Sequence, residues 1–172
     1  MCYYAKVYVM KYNILRKTNL TIIETEVLFD IIKDNLLSLE YKISNNDKEL
    51  WIENLKNSLQ KEKFYLYLVY KEEKIVGFVE ITEENNKLTL SEIQIDNYNK
   101  KTRILLDIIN FLLTRKDFLT FDEMAFYINK QNAMSNKTFS HLGGQIIEER
   151  QKSYLYKIKR CDVEKYLKSI TK

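Results

Sequence analysis

The stretch that decides the fold is residues 88–115, LTLSEIQIDNYNKKTRILLDIINFLLTR. Residues 88–96 mix apolar and polar side chains as a β-strand does, with one break in the alternation near Ser91. A polar turn, residues 97–101, follows, and the polar side chains after it fall at helical spacing in one narrow stripe, Arg103, Asp107, Asn110 and Thr114. A helix this apolar is predicted to lie against a sheet. A strand that leads into such a helix directs free backbone N–H groups at the turn, where an anion can be held.

Length and composition predict one globular domain spanning residues 1–172. The chain is 45% hydrophobic and 30% charged, and its net charge of +4 is too small to indicate nucleic-acid binding by itself. No apolar run approaches the roughly 20 residues of a membrane span, and the N-terminus lacks the features of a signal peptide. Two cysteines, Cys2 and Cys161, are too few for a disulfide framework, which favours a cytoplasmic location.

The periodicities along the chain predict the element order β-α-α-β-β-β-α-β-α-β-β, followed by a C-terminal helix within residues 161–172. Residues 1–11 are predicted to be an N-terminal extension. Short polar connections favour antiparallel hairpins, whereas the strand–helix–strand unit around residues 104–113 requires a parallel pair of strands. The predicted fold class is therefore α/β, with a mixed, mostly antiparallel sheet and helices on both faces.

Three smaller features carry structural predictions. Gly77 interrupts an apolar strand, which predicts a bulge or a close backbone approach. Gly143 follows a short helix, at the position where a C-cap needs a left-handed residue. Trp51, Leu55 and Leu59 lie four residues apart, as on one face of a helix. Trp51 is therefore predicted to pack in the core or between helices rather than to bind a ligand.

Residues 132–144, NAMSNKTFSHLGG, resemble the segment after the fifth strand in the GNAT superfamily of acetyl-CoA-dependent N-acetyltransferases. The match consists of Asn132, a small residue three positions later, an aromatic residue and then Leu-Gly-Gly. Residues 75–79, IVGFV, are similar to the family's third strand, and residues 14–16 to its first. The resemblance covers roughly residues 12–159. It implies a GNAT-like fold, acetyl-CoA as the acyl donor and a primary amine as the acceptor.

The turn before the long helix departs from the family's cofactor motif. The family has glycines there, which let backbone N–H groups approach the pyrophosphate of coenzyme A. This chain has none, so its bulkier side chains either push the diphosphate outward or close the site. The turn residues that the resemblance places at the diphosphate are Asn97, Asn99, Lys100, Lys101 and Thr102. The two lysines either supply compensating positive charge or are solvated turn residues.

The resemblance also assigns cofactor contacts outside the turn. The backbone of Ile93 and Ile95 would pair with the pantetheine arm, and Asn132 would hold the cofactor from the helix side. The resemblance also places Phe139 beside the thioester, where many relatives have a tyrosine that serves as general acid. Phenylalanine has no proton to donate. Ser135 and Tyr127 are candidate substitutes, although Tyr127 is favoured as an ordinary sheet residue.

Glu92 is the candidate catalytic base. Acetyl transfer to an amine requires a neutral amine, hence a group that removes its proton. The alternative is an exposed strand glutamate without a catalytic role. His141 is predicted to be a surface residue or a dipole partner at the helix C-terminus, and metal-ligand spacing is absent from the sequence.

Two functions stay open at this point. The first is an N-acetyltransferase that acts on a small-molecule or peptide amine. The second is a non-catalytic acyl-CoA-binding or protein-interaction module on a degenerate GNAT scaffold, which the missing glycines and the missing tyrosine favour. Neither function involves nucleic acid or a membrane, and the protein is expected to be a monomer or a homodimer.

Overall fold

The computed structural model describes residues 12–84, 87–100, 104–118 and 121–170. Its elements follow the predicted order: β1 Asn13–Lys17, α1 Ile22–Leu37, α2 Asn45–Leu59, β2 Phe64–Lys71, β3 Lys74–Glu84, β4 Lys87–Ile95, α3 Ile104–Thr114, a 3-10 turn Lys116–Phe118, β5 Glu123–Asn129, α4 Ala133–His141, β6 Gln145–Glu149, β7 Ser153–Lys159 and α5 Arg160–Ile170. The predicted N-terminal extension, residues 1–11, lies outside the described residues. The C-terminal helix begins at Arg160, one residue before the predicted segment.

Local interactions account for several of the helix boundaries. Thr21 and Glu24 form a capping box at the start of α1. Gly143 has a φ of +88° just after α4, which confirms the left-handed C-cap position. His141, in the last turn of α4, is exposed as expected. None of the helices within the described ranges is long and apolar enough to cross a membrane.

The described strands form one seven-stranded sheet in the order β1-β2-β3-β4-β5-β7-β6. Neighbouring strands in it are antiparallel except for β4 and β5, which are parallel and joined through α3. This pair confirms the parallel neighbours predicted from the strand–helix–strand unit. Their pairing is short, because it extends only from Leu88 opposite Met124 to Leu90 opposite Phe126.

Helices cover both faces of the sheet, as predicted. On one face α3, α4 and α5 pack against the strands, and the core there includes Ile104, Ile108, Leu112, Phe139 and Val163. On the other face α1 and α2 bury Leu28, Ile32, Leu55, Leu66, Leu68 and Phe78. The sheet thus separates two apolar layers, and an opening between its strands connects them.

Candidate active site

A β-bulge in β4 begins this opening. Glu80 lies opposite Glu92 and Ile81 lies opposite Leu90, so Ser91 is the extra residue on β4. This bulge explains the break in alternation near Ser91 that the sequence shows. Past the bulge, the described part of β4 pairs only with β3, because its pairing with β5 ends at Leu90. Bulges bend the strand that carries them, and β4 and β5 diverge from this point.

The main chain of Ile93 and Ile95 faces the opening. The Asp96 N–H donates a hydrogen bond to the Val76 carbonyl oxygen on β3 at 2.9 Å. Successive residues of an antiparallel strand direct their main-chain groups to alternate edges. The groups of Ile95 and Ile93 therefore point away from β3, to the open edge. The Asn35 side-chain amide, which donates to the Ile95 carbonyl oxygen at 3.0 Å, approaches from that side.

A cleft of about 530 Å³ occupies the opening. That volume lies within the roughly 300–1,000 Å³ typical of small-molecule sites. Residues from both helical layers line it, together with the diverging strands: Asn35, Leu36, Ser38 and Leu39 of the α1 layer, residues 90–95 of β4, Lys100, residues 126–129 of β5, and Asn132, Ser135, Thr138 and Phe139 around α4. The cleft is therefore open to both layers of the fold.

The structure brings most of the predicted site residues to this cleft. Those that line it are Glu92, Ile93, Ile95, Lys100, Asn132, Ser135 and Phe139. Asn97 and Asn99 do not line it. Lys101 and Thr102 lie outside the described residues.

Hydrogen bonds between Asp96 and Asn99 stabilise the turn after β4. The Asn99 main-chain N–H and its side-chain amide each donate to the Asp96 carboxylate at 2.8 Å, and Asn99 is buried. Its side chain therefore stabilises the turn rather than facing a ligand. Lys100 is half-buried at the cleft, and this burial lowers the pKa of its ammonium group. The negative charges of Asp34 and Asp96 act in the opposite direction and raise that pKa, but their effect is smaller. Lys100 is thus not a fully solvated turn lysine.

Two predicted residues meet the cleft from α4. The Asn132 side-chain oxygen accepts a hydrogen bond from the Ser135 N–H at 3.0 Å and so caps the helix. Phe139 is buried and packs against Phe126 of β5, with ring centroids 4.6 Å apart. Tyr127 lies in β5 as expected, and its hydroxyl accepts a hydrogen bond from the Arg150 guanidinium at 2.9 Å.

Glu92 lies on the face of the sheet that α1 and α2 cover, and it is half-buried. Burial raises the pKa of its carboxyl, while hydrogen bonds from the Gln94 amide, at 2.8 Å, and from the Trp51 side chain act in the opposite direction. The expectation that Glu92 is exposed is therefore wrong, whereas its catalytic role stays a prediction. The physical reason is that α1 and α2 cover the face of the sheet on which the Glu92 side chain lies.

Glu80 is a second carboxyl next to the cleft that the sequence interpretation missed. It stands directly opposite Glu92 on β3. Burial, and then the charge of Glu92, raise the pKa of Glu80 to about 8. The available signal was a glutamate in the middle of the apolar strand IVGFVEI, which is a costly place for an ionised group.

Trp51 and Asn35 complete the α1 side of the site. Trp51 packs against Phe29 and Phe78, with ring centroids 5.8 and 6.3 Å away, which confirms the predicted packing role. Asn35 donates to the Gln94 side-chain oxygen at 2.6 Å. Its own side-chain oxygen is buried and has no hydrogen-bond partner among the described residues. Sequence interpretation assigned a role in the site to neither residue.

No family model matches the sequence, and no curated protein is similar to it. Solved structures do match. A PaiA N-acetyltransferase from Thermoplasma acidophilum in complex with coenzyme A is 17% identical, with a TM-score of 0.66, over 86% of this chain and 99% of that one. Campylobacter jejuni PseH in complex with acetyl coenzyme A is 18% identical, with a TM-score of 0.59, over 87% and 99%. An acetyltransferase of the GNAT family from Staphylococcus aureus Mu50 is 14% identical, with a TM-score of 0.68, over 86% and 98%.

Proposed function

The chain has the fold of the GNAT acetyltransferases, as its sequence predicts, and we propose that it transfers an acetyl group from acetyl-CoA to a primary amine. The observation that carries this proposal is the open edge of β4, where the main-chain groups of Ile93 and Ile95 face the cleft. An extended ligand with amide groups, such as a pantetheine arm, can bind an open edge as an added strand does. The coenzyme A and acetyl coenzyme A complexes of PaiA and PseH, which share the fold, support this choice of donor.

The residues around the open edge of β4 suit the acetyl thioester and the diphosphate of acetyl-CoA. Phe139 and Phe126 provide an apolar wall beside the position proposed for the acetyl thioester. Lys100 contributes positive charge at the end of β4, where the diphosphate would lie, with Lys101 and Thr102 as further predicted contacts. Asn132 stays a predicted contact from the helix side. Because the turn lacks glycine, we expect side-chain charge rather than a close backbone cradle to hold the diphosphate.

The acceptor would enter from the α1 side. Asn35, Ser38, Gln94 and Asn129 line the cleft with uncharged polar groups, which suit a small-molecule or peptide amine that forms hydrogen bonds. Glu92 is the ionisable carboxyl of the cleft lining and takes the proton of the incoming ammonium group. The neutral nitrogen then attacks the acetyl carbonyl carbon, the carbon–sulfur bond breaks, and the thiolate leaves. The nitrogen must also lose its second proton to become an amide, and Ser135 is the candidate that relays a proton to the sulfur by accepting one as it donates one, since Phe139 cannot serve.

Calorimetric titration with acetyl-CoA is the first test. We expect a one-to-one complex. The double variant Lys100→Ala, Lys101→Ala should weaken it by no more than a few kcal/mol, because the two lysines are expected to act as charge contacts rather than as a fixed cradle. The matched control is Lys56→Ala, since Lys56 is exposed on α2, away from the cleft lining. If the protein binds acetyl-CoA, its ability to acetylate amines should then be assayed with panels of polyamines, amino sugars, amino acids and peptides.

The missing turn glycines and Phe139 favour a second function, a non-catalytic interaction module on the same scaffold. That function predicts either no binding at millimolar acetyl-CoA or binding without acetylation of any amine in the panels. The first result would also remove acetyl-CoA as the donor.

A further inference from the structure

The register of β3 and β4 points to a second carboxyl at the site. We propose that Glu80 is a positioning residue that shares with Glu92 the proton removed from the acceptor amine, and so makes Glu92 a stronger base than an isolated strand glutamate. The inference rests on the proposed function, because it assigns Glu80 a role in that reaction. Glu80 and Glu92 together form a carboxyl pair.

The pairing of the strands places the two side chains side by side. Residues directly opposite each other on antiparallel strands have β-carbons about 5 Å apart and project on the same face. Glu80 and Glu92 are such a pair, and the bulge at Ser91 follows immediately along the ladder. Glu92 lines the cleft, whereas Glu80 stands behind it on β3. Glu92 can therefore meet the amine directly, and Glu80 can act only through Glu92.

The surroundings of the carboxyl pair are apolar or uncharged. Leu66 of β2 lies opposite Glu80, and α1 covers this face of the sheet with Leu28, Phe29, Ile31, Ile32 and Asn35. The charged residues of α1 near this face, Asp30, Lys33 and Asp34, are exposed. On α2, Lys48 pairs with Glu26 of α1, and Glu49, Glu53 and Lys56 are exposed.

The remaining charged groups lie at the end of the cleft. Lys100 interacts there with Asp34 and Asp96. The interactions that set the pKa values of the carboxyl pair are burial, the charge of the neighbouring glutamate, and hydrogen bonds from Gln94 and Trp51. None of these is a contact with a cation. The repulsion between the two carboxylates is therefore relieved by a proton rather than by a salt bridge.

This arrangement accounts for the proton in the proposed reaction. Two carboxylates in one half-buried site resist being ionised together, so the fully ionised pair binds one proton more tightly than a solvated glutamate does. The pKa of Glu80, raised to about 8, reflects that preference. When an ammonium group meets the fully ionised form of the pair, its proton passes to Glu92 and is held between the two carboxyls. The amine is left neutral for attack, and the pair returns the proton to water through the cleft afterwards.

The test compares Glu80→Gln with wild type in two measurements. In protein labelled with ¹³C at the glutamate carboxyl carbons, the wild type should show two carboxyls that titrate together, at least one of them well above the ordinary range. In Glu80→Gln, the Glu92 carboxyl should titrate lower by about one pH unit or more. The acidic limb of the kcat/KM profile should move down by the same amount. Glu80→Asp, which keeps a carboxyl, should restore part of both shifts, whereas Glu84→Gln, an exposed position on β3, should change neither.

Three outcomes distinguish the carboxyl pair, the role of Glu80 in catalysis and the proposed function from one another. An unchanged Glu92 titration in Glu80→Gln overturns the carboxyl pair. A shifted titration with an unmoved acidic limb overturns the role of Glu80 in catalysis and leaves Glu92 as the base. A coupled titration in a protein that acetylates no amine overturns the proposed function instead, because the titration requires neither donor nor acceptor.

Discussion

A β-carbon on Gly77 would lie 2.5 Å from the main-chain oxygen of Gln94, a distance that side-chain carbons do not reach in folded proteins. Strands β3 and β4 therefore approach each other closely at this point, which confirms the close backbone approach predicted at Gly77. Because the Gln94 carbonyl faces β3, the neighbouring main-chain groups of Ile93 and Ile95 face the cleft. The glycine thus leaves room for β3 to pack closely against the strand whose other edge is proposed to bind the donor.

Gly77→Ala should destabilise the protein and weaken donor binding together. The new methyl group meets backbone rather than a flexible side chain, so the strands must move apart, at a cost of about 1–3 kcal/mol in the free energy of unfolding. Urea denaturation and calorimetry with acetyl-CoA would measure the two effects. Lys74→Ala, at the exposed start of the same strand, is the control. A Gly77→Ala protein with wild-type stability would show that the two strands are not held this close.

Glu92→Gln should lower turnover by about 10²-fold or more, the usual scale for a lost general base. The affinity for acetyl-CoA should stay nearly unchanged, since the substitution preserves the size of the side chain and leaves the open edge intact. Steady-state kinetics with the best amine of the panels, together with calorimetry, would measure the two quantities. Full activity in Glu92→Gln would remove the assignment of Glu92 as base and leave the fold assignment untouched.

The free energy of unfolding should fall as pH rises from about 5 to 8. Glu80 has a pKa of about 8 in the folded protein, against the ordinary 4.5 expected when the chain is unfolded. Between these values the folded state holds a proton that the unfolded state has lost, so this group costs up to about 1.4 kcal/mol per pH unit. Urea denaturation across this range should show a flatter dependence for Glu80→Gln. Equal slopes for the two proteins would contradict the raised pKa.

Phe139→Tyr should raise turnover, because it places a hydroxyl on a ring that lines the cleft where the proposed thiolate leaves. Stability should change little, since the packing against Phe126 keeps the same ring. Kinetics would measure the gain. An unchanged turnover would indicate that the thiolate leaves without protonation.

Ser135→Ala tests the hydroxyl that is present in the natural sequence. Turnover should fall if Ser135 protonates the leaving sulfur, and the fall should be smaller when Phe139→Tyr is combined with it, because the new hydroxyl substitutes for the old one. The helix should stay intact, since the Asn132 cap bonds to the main chain of Ser135 rather than to its side chain. Equal losses in both backgrounds would exclude a shared role.

The amino-acid sequence by itself determined the elements whose causes are local. Thr21 and Glu24 sit three residues apart and close a capping box, and Gly143 takes a left-handed conformation that other residues rarely adopt. The change of period after residue 96 likewise predicted a strand followed by a buried helix, because side-chain periodicity reflects the geometry of each element. These features need no information from distant parts of the chain.

Tertiary structure alone decided which residues meet at the site. Glu80 and Glu92 become neighbours only through the register of two strands, and a slip of one residue would turn one of them to the other face of the sheet. The sequence shows the break at Ser91 but not that β4 leaves β5 there, since that depends on where their parallel pairing ends. For Asn99, the sequence predicted a contact with the cofactor. In the structure, hydrogen bonds to the Asp96 carboxylate hold its side chain within the turn. In each case the outcome depends on which strand or side chain a residue contacts, and the periodicity of the sequence does not determine that partner.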